Sequence, residues 1–120
     1  MAFFLIFLGG GAGSVVRYSI SLLLNKYSLL FPYSALVVNI LGSFLIAVLA
    51  YKNKPLFDNY HMIRLMFITG FLGGFTTFST FSLDFFNLVT EKNYLLAFTY
   101  AFLSVTLSLL AFLAGLIIFR

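Results

Sequence analysis

Apolar residues run through this chain in four long stretches, and the few polar positions between them act as boundaries. The first stretch extends from Ala2 to Leu24 and stops at Asn25-Lys26-Tyr27-Ser28. The second covers about residues 32–51, from Pro32 to Tyr51, and is followed by the most polar segment of the chain, Lys52 to Asn59, with Pro55 as a breaker. The third runs from His61 to Val89, and the short turn Thr90-Glu91-Lys92-Asn93 separates it from the fourth, Tyr94 to Phe119, which Arg120 closes. A helix needs about 20 apolar residues to cross a bilayer, and each stretch supplies that length. A proline at the start of the second stretch suits a helix N-terminus, where its missing N–H costs nothing. The pattern predicts an all-α membrane protein with four transmembrane helices, spans about 2–24, 32–51, 61–89 and 94–119, in one transmembrane domain over residues 1–120.

The third stretch breaks the rule set by the others. At about 29 residues it is longer than a straight crossing requires. Within it, Gly70-Phe71-Leu72-Gly73-Gly74-Phe75-Thr76-Thr77-Phe78-Ser79-Thr80-Phe81 places three glycines, four hydroxyl residues and four phenylalanines in twelve positions. Each glycine weakens a helix by up to about 1 kcal/mol relative to alanine. Threonine and serine offer a disrupted backbone local hydrogen bonds. A break at membrane depth is tolerated where it is buried in protein or lines a cavity, and such breaks hold ions and substrates in transporters. The third helix is therefore expected to be broken mid-membrane, with a site at the break.

Composition strengthens the membrane reading. The chain of 120 residues is 62% hydrophobic and 8% charged, and its mean hydropathy is +1.11. A soluble domain carries roughly 25% charged residues. The N-terminus, Met-Ala-Phe-Phe-Leu-Ile-Phe, has no basic leader and no Ala-x-Ala site, so it reads as the first span and not as a cleaved signal. The net charge of +4 comes from basic residues scattered over span ends and loops, which fits membrane anchoring and argues against nucleic acid. With no cysteine and one histidine, His61, the chain offers no thiolate or imidazole metal centre.

Four crossings put both termini on one face of the membrane. Lys52, Lys54 and Arg120, with Arg64 beside them, fall on that face; Lys26 and Lys92, with Arg17 leaning that way, fall on the other. Orientation follows the Lys/Arg bias of short loops, and a bias of one residue barely specifies it. The chain is expected to insert in both orientations and to pair as an antiparallel homodimer, since two-fold pairs are the commonest assemblies.

Several polar residues carry candidate chemistry. Asn39 lies near the middle of the second span, with Gly42 and Ser43 on its face. Its amide is either a donor lining an ion path or a hydrogen bond between helices. Arg17 is close enough to the end of the first span to snorkel, which gives it a structural or vestibule role. Gly9 and Gly13, four apart, favour close helix packing. Phe78 and Phe81 share a face, where ring edges could meet an anion or simply pack. Tyr100, Ser104 and Ser108 make a hydroxyl stripe along the fourth span. Asp84 follows the broken segment with no second membrane carboxylate, so proton-coupled transport has little to work with. No nucleophile–base set and no phosphate loop is visible, and the chain does not read as an enzyme.

Three blocks together resemble the small bacterial fluoride channels called Fluc, or CrcB. They are Gly9 to Tyr18, Asn39-Ile40-Leu41-Gly42-Ser43-Phe44, and Thr69 to Phe81. The resemblance covers essentially the whole chain, and the third block is the specific one. It implies a passive fluoride channel of the bacterial inner membrane that exports cytoplasmic fluoride. It also implies an antiparallel dual-topology homodimer with two pores and a central sodium ion. By match to the motif, the backbone carbonyls of Gly73 and Thr76 would hold sodium. Asn39, Phe78, Phe81, Tyr100, Ser104 and Ser108 would line the fluoride path. Asp84 stands where many family members have glutamate, and Phe75 replaces an aliphatic residue. Two other readings compete. A small four-span drug/proton antiporter would need a glutamate in the first span, which is absent; a structural membrane protein would use its polar residues only to join helices.

Overall fold

The computed structural model describes residues 1–27, 30–52 and 61–119. Among these residues the helices are, in order, α1 (Ala2–Leu24) with a 3₁₀ turn at Asn25–Tyr27, α2 (Tyr33–Lys52), α3 (61–75), α4 (Phe78–Thr90) and α5 (Tyr94–Ile118). The described residues contain no strand. Four segments are long and apolar enough to cross a membrane, and the third, His61–Thr90, contains both α3 and α4. The four expected spans are thus present, with the third made of two helices in series. The middle loop with Lys54, Pro55 and Asp58, together with Ser28 and Arg120, lies outside the described residues.

The break falls at Thr76 and Thr77, whose backbones are extended (φ −79°, ψ 154° and φ −153°, ψ 124°). The glycines ahead of it do not make the break. Gly73 is helical, at φ −63°, ψ −37°. The wound backbone of α3 changes character instead: after an α turn at His61–Arg64, residues Leu65–Leu72 form a π-helical stretch before Gly73–Phe75 returns to α geometry. A π stretch is rare and often marks a functional segment. No local sequence signal predicts it.

The glycines serve contact between α1 and α3. A Cβ on Gly9 would overlap the Met66 carbonyl oxygen and lie 2.9 Å from the Phe71 nitrogen. One on Gly13 would overlap the Phe71 carbonyl oxygen and lie 2.9 Å from the Phe75 nitrogen. From the other side, a Cβ on Gly74 would overlap the Gly10 carbonyl oxygen, and one on Gly70 would lie 3.0 Å from the Ile6 carbonyl oxygen. Backbone therefore rests on backbone along this seam, as small residues at four-residue spacing allow. The expected packing role of Gly9 and Gly13 is what the structure shows.

The remaining helices form a second group. α2 lies along α5, and α4 folds back against α5. Leu36, Leu88, Ala97 and Tyr100 form a buried cluster joining α2, α4 and α5. Val38 packs with Leu72 and Phe75, which ties α2 to α3. The turn from α4 to α5 is closed by Lys92 in the left-handed region (φ 61°). Its N–H donates to the Val89 carbonyl (3.0 Å) and the Asn93 N–H donates to the Leu88 carbonyl (2.9 Å), the Schellman pattern of a helix C-terminus.

The outer faces carry Phe3, Phe7, Leu95, Phe102 and Ile117, all exposed, which suits lipid, since acyl tails are as apolar as leucine. The molecule is a slab of 50 × 32 × 20 Å. Its radius of gyration is 15.6 Å, against about 14 Å for a compact chain of this length. At 20 Å it is roughly two helix diameters thick, too thin to surround a wide path by itself.

Candidate functional site

The break creates loose backbone groups, and neighbouring helices take up three of them, the Gly74 carbonyl and both backbone groups of Thr77. Asn39 on α2 faces Thr77 with both ends of its amide. The Thr77 N–H donates to Asn39 Oδ1 (2.9 Å) and Asn39 Nδ2 donates to the Thr77 carbonyl (3.0 Å). Because a backbone N–H only donates, the amide orientation follows from the pairing itself. Asn39 is thus a hydrogen bond between helices, and its second Nδ2 hydrogen is left over for the space beside it.

On the α3 side, the Thr76 N–H and Thr76 Oγ1 both donate to the Leu72 carbonyl (2.9 Å each), which finishes the helix. The Gly74 carbonyl accepts from Arg17 Nε (3.2 Å) and from Ser14 Oγ (3.4 Å), both on α1. Arg17 is therefore tied to the break from the outside, half-buried, and does not face the groove described below. On the α4 side, Thr77 Oγ1 caps the new helix by accepting from the Thr80 N–H (3.2 Å), with the Thr80 and Ser79 hydroxyls close by. Threonine is a favoured N-cap residue, so a cap within this hydroxyl run was open to sequence reasoning. The Arg17 contact was not, because nothing local says which carbonyl α1 meets.

Among the described residues, no side chain bonds to the carbonyls of Gly73 or Thr76. Both residues line a groove of about 480 Å³ on one face of the slab. Asn39, Phe78, Phe81, Ser104 and Ser108 line the same groove, with Gly42, Ser43 and Thr77 between them. Five side chains and two carbonyl-bearing residues singled out from the sequence thus converge. The wall is open: Phe78 is 74% exposed, and Val105 and Leu109 beside it are exposed as well.

Two features of the groove stand out chemically. The Phe78 and Phe81 rings sit with centroids 5.0 Å apart at 39°. And the hydroxyl oxygens of Ser104 and Ser108 are buried with no hydrogen bond of ordinary geometry in the chain, Ser104 lying beside the Tyr100 hydroxyl. A mid-helix serine usually bonds back to the carbonyl four residues earlier, and a buried unpaired hydroxyl costs about 1–3 kcal/mol. Both hydroxyls belong to residues on one wall of the groove.

Tyr100 and Asp84 lie next to this groove and do not line it. Tyr100 is fully buried, its ring 5.3 Å from Phe81 and 5.6 Å from Phe31 in an edge contact. Its hydroxyl donates to Asp84 Oδ2 (3.3 Å). Asp84 lines a separate cavity of about 120 Å³ with Phe31, Asn87 and Glu91. A run of rings, Phe78–Phe81–Tyr100, therefore leads from the groove to the carboxylate. The hydroxyl stripe of α5 is real in geometry, but its Tyr100 end points to Asp84.

The donor set bears on a cation as follows. No group of three or more His, Cys, Asp or Glu side chains gathers among the described residues. What the break offers is carbonyl oxygen, the ligand of hard cations. Gly73 also presents bare backbone, since a Cβ there would meet nothing within 4 Å. The residues present fit a carbonyl-held cation such as sodium and no softer metal.

Comparison with known proteins places the chain. The sequence profile of the family described as CrcB-like protein, Camphor Resistance (CrcB), matches residues 4–116. A protein named Fluoride-specific ion channel FluC from Hydrogenobaculum sp. is 43% identical over 100 residues, covering 83% of this chain and 82% of the relative. Its namesake from Flavobacterium psychrophilum is 44% identical over 117 residues, 96% and 94% of the two chains. That from Azobacteroides pseudotrichonymphae is 41% identical over 119 residues, 96% and 93%.

Proposed function

The chain belongs to the CrcB family, and from that premise we propose that it is a passive, fluoride-selective ion channel. It is a multi-pass membrane protein, with four segments able to cross the bilayer, and a channel and not an enzyme. The relatives' printed names supply the ion; the groove supplies the physical rationale. The observation that carries the reading is the pair of buried, unpartnered hydroxyls of Ser104 and Ser108 on a wall shared with Asn39, Phe78 and Phe81.

Fluoride is small and strongly hydrated, so its path must replace water with donors. Ser104 and Ser108 each hold an O–H with no hydrogen bond of ordinary geometry in the chain, and Asn39 keeps one N–H beyond its bond to Thr77. The edges of Phe78 and Phe81 carry the positive rim of the ring quadrupole and meet an anion without asking for a proton. Tyr100 supports the ring of Phe81 and sends its own hydroxyl to Asp84. A path built from neutral donors binds an anion weakly enough to release it, which conduction requires.

The working unit in this reading is an antiparallel homodimer in the bacterial inner membrane, with two pores and fluoride leaving the cytoplasm down its gradient. Support comes from the thin slab and from the open wall of Phe78, Val105 and Leu109, which a second copy would close. The Gly73 and Thr76 carbonyls of both copies would hold a sodium ion at the shared axis. When bound, sodium supplies fixed positive charge that favours anions nearby.

Purified protein in liposomes loaded with fluoride or chloride tests the proposal. Fluoride release with no matching chloride release is expected. No release, or equal release of both, would overturn it. A drug/proton antiporter has no support here, since α1 carries no acidic residue.

A further inference from the structure

Breaking a helix frees more carbonyls than a cation site should use, and the structure pairs several of them locally or with other helices. Leu72 is bonded by Thr76 twice over. Thr77 is paired by Asn39 through both backbone groups. Gly74 is taken by Ser14 and Arg17 of α1. Gly73 and Thr76 remain on the groove. Resting on the sodium reading above, we infer that Arg17, helped by Ser14, is a positioning residue for the cation site. It occupies the Gly74 carbonyl and so removes that oxygen from those open to a cation, leaving Gly73 and Thr76 on the groove.

Three observations carry this. Ser14 and Arg17 are three apart on α1, one face of a helix, and both reach the same oxygen. The approach is enforced from below, because Gly10 meets Gly74 and Gly13 meets Phe71 and Phe75 at backbone contact. And the bond lands at the C-terminal end of α3, the negative end of its dipole, where a cation is favoured. Arg17 Nε donates in the plane of a rigid fork, which lysine cannot copy with a point charge. Freed from this contact, the Gly74 carbonyl would be able to rotate, and the peptide it shares with Phe75 would change the aim of its neighbours.

The test uses the purified full-length channel in detergent, comparing unaltered protein with R17Q, R17K and S14A. Melting temperature is read in sodium, lithium, potassium and N-methylglucamine chlorides at equal concentration, and amide hydrogen exchange of residues 70–81 on the same samples. In the unaltered protein, sodium is expected to raise the melting temperature most. R17Q is expected to raise the sodium concentration for half of that gain about tenfold, the equivalent of roughly 1.4 kcal/mol, and to speed exchange at residues 75–78. S14A should do the same more weakly. Unchanged sodium preference together with unchanged exchange in R17Q overturns the inference. If the unaltered protein distinguishes no cation, the sodium reading fails by itself, and exchange then decides: faster local exchange in R17Q supports the cap, and unchanged exchange sinks it. If R17Q loses structure throughout, shown by faster exchange in α5 as well, the decision passes to R17K. Local acceleration at 75–78 in R17K supports the inference, and none overturns it.

Discussion

The seam between α1 and α3 and the groove between α2, α4 and α5 follow opposite rules. Along the seam, Gly9, Gly13, Gly70 and Gly74 bring backbone against backbone until little or no room for a methyl group remains. In the groove, large side chains stand apart around about 480 Å³ and two hydroxyls stay unpaired. The seam is tight where the polar backbone of the break has to be held. The groove is loose where the proposed ion path would run. Packing density in this small membrane protein thus differs with the role of each region. One face of the broken helix is clamped so that the other can remain unfinished.

The strongest way to break that contrast is to put volume into the seam. Gly13→Val places carbon on the Phe71 carbonyl, and backbone cannot step aside as a side chain would. Overpacking of this kind costs about 3 kcal/mol or more, so little folded protein is expected. Recovery as a single species on gel filtration is the measurement, and a normal yield would mean that the seam is looser than the contacts say.

Next in size is Asn39, which joins the two regions. Asn39→Ala leaves the Thr77 N–H and carbonyl without partners. At about 1–3 kcal/mol for each unpaired buried group, a loss of roughly 2–4 kcal/mol is expected. Asn39→Asp keeps an acceptor for the Thr77 N–H but sets a carboxylate oxygen against the Thr77 carbonyl, so it should cost at least as much as alanine, and fluoride release is expected to fall in both variants. Denaturation in detergent and liposome release, measured side by side, check both. Variants as stable as the unaltered protein would show that the amide does not hold the break.

In the groove the expected sign reverses. Ser104→Ala and Ser108→Ala remove hydroxyls that make no hydrogen bond of ordinary geometry in the chain. Replacing an unpaired buried hydroxyl is near neutral, or stabilising by up to about 1 kcal/mol. If those hydroxyls serve the ion, fluoride release should nevertheless fall, on the order of tenfold for each donor lost. A variant that melts no earlier and conducts worse sharpens the contrast. A variant that melts earlier with unchanged release would mean that the serines belong to the packing.

Much of this architecture was legible in the chain because membrane spans are long and polar boundaries are rare. The four spans agree with the helices to within one or two residues, since Asn25, Pro32, His61 and Asn93 punctuate an otherwise apolar pattern. The break was legible as a run of glycine and hydroxyl residues, but the parts of that run do different things. The threonines make the break and the glycines pack, because helical glycine on a seam looks the same in sequence as glycine in a loop. The stripe of Tyr100, Ser104 and Ser108 was readable from four-residue spacing. That Tyr100 turns to Asp84, while the serines make no hydrogen bond of ordinary geometry, depends on distances between helices that no local pattern encodes. The same holds for Arg17 and the Gly74 carbonyl, and the π stretch over Leu65–Leu72 has no counterpart in the local sequence pattern.

The smallest effect carries the finest distinction. Gly11 and Gly73 are the two glycines at which a Cβ would meet nothing within 4 Å. Gly11 lies within α1, where alanine is favoured over glycine by up to about 1 kcal/mol. Gly11→Ala is therefore expected to raise stability slightly. Gly73 is helical too, and a lone chain would respond in the same direction. In the proposed dimer, however, the surface around Gly73 faces its copy across the cation site, and a methyl group there would meet something the single chain lacks. The sign of the Gly73→Ala effect, set against that of Gly11→Ala in the same denaturation assay, separates the two cases. Matching small gains would leave the open side of α3 to lipid. A gain at Gly11 with a loss at Gly73 would mean that the open side is closed by another molecule, and a loss that disappears when sodium is replaced by N-methylglucamine would tie that closure to the cation.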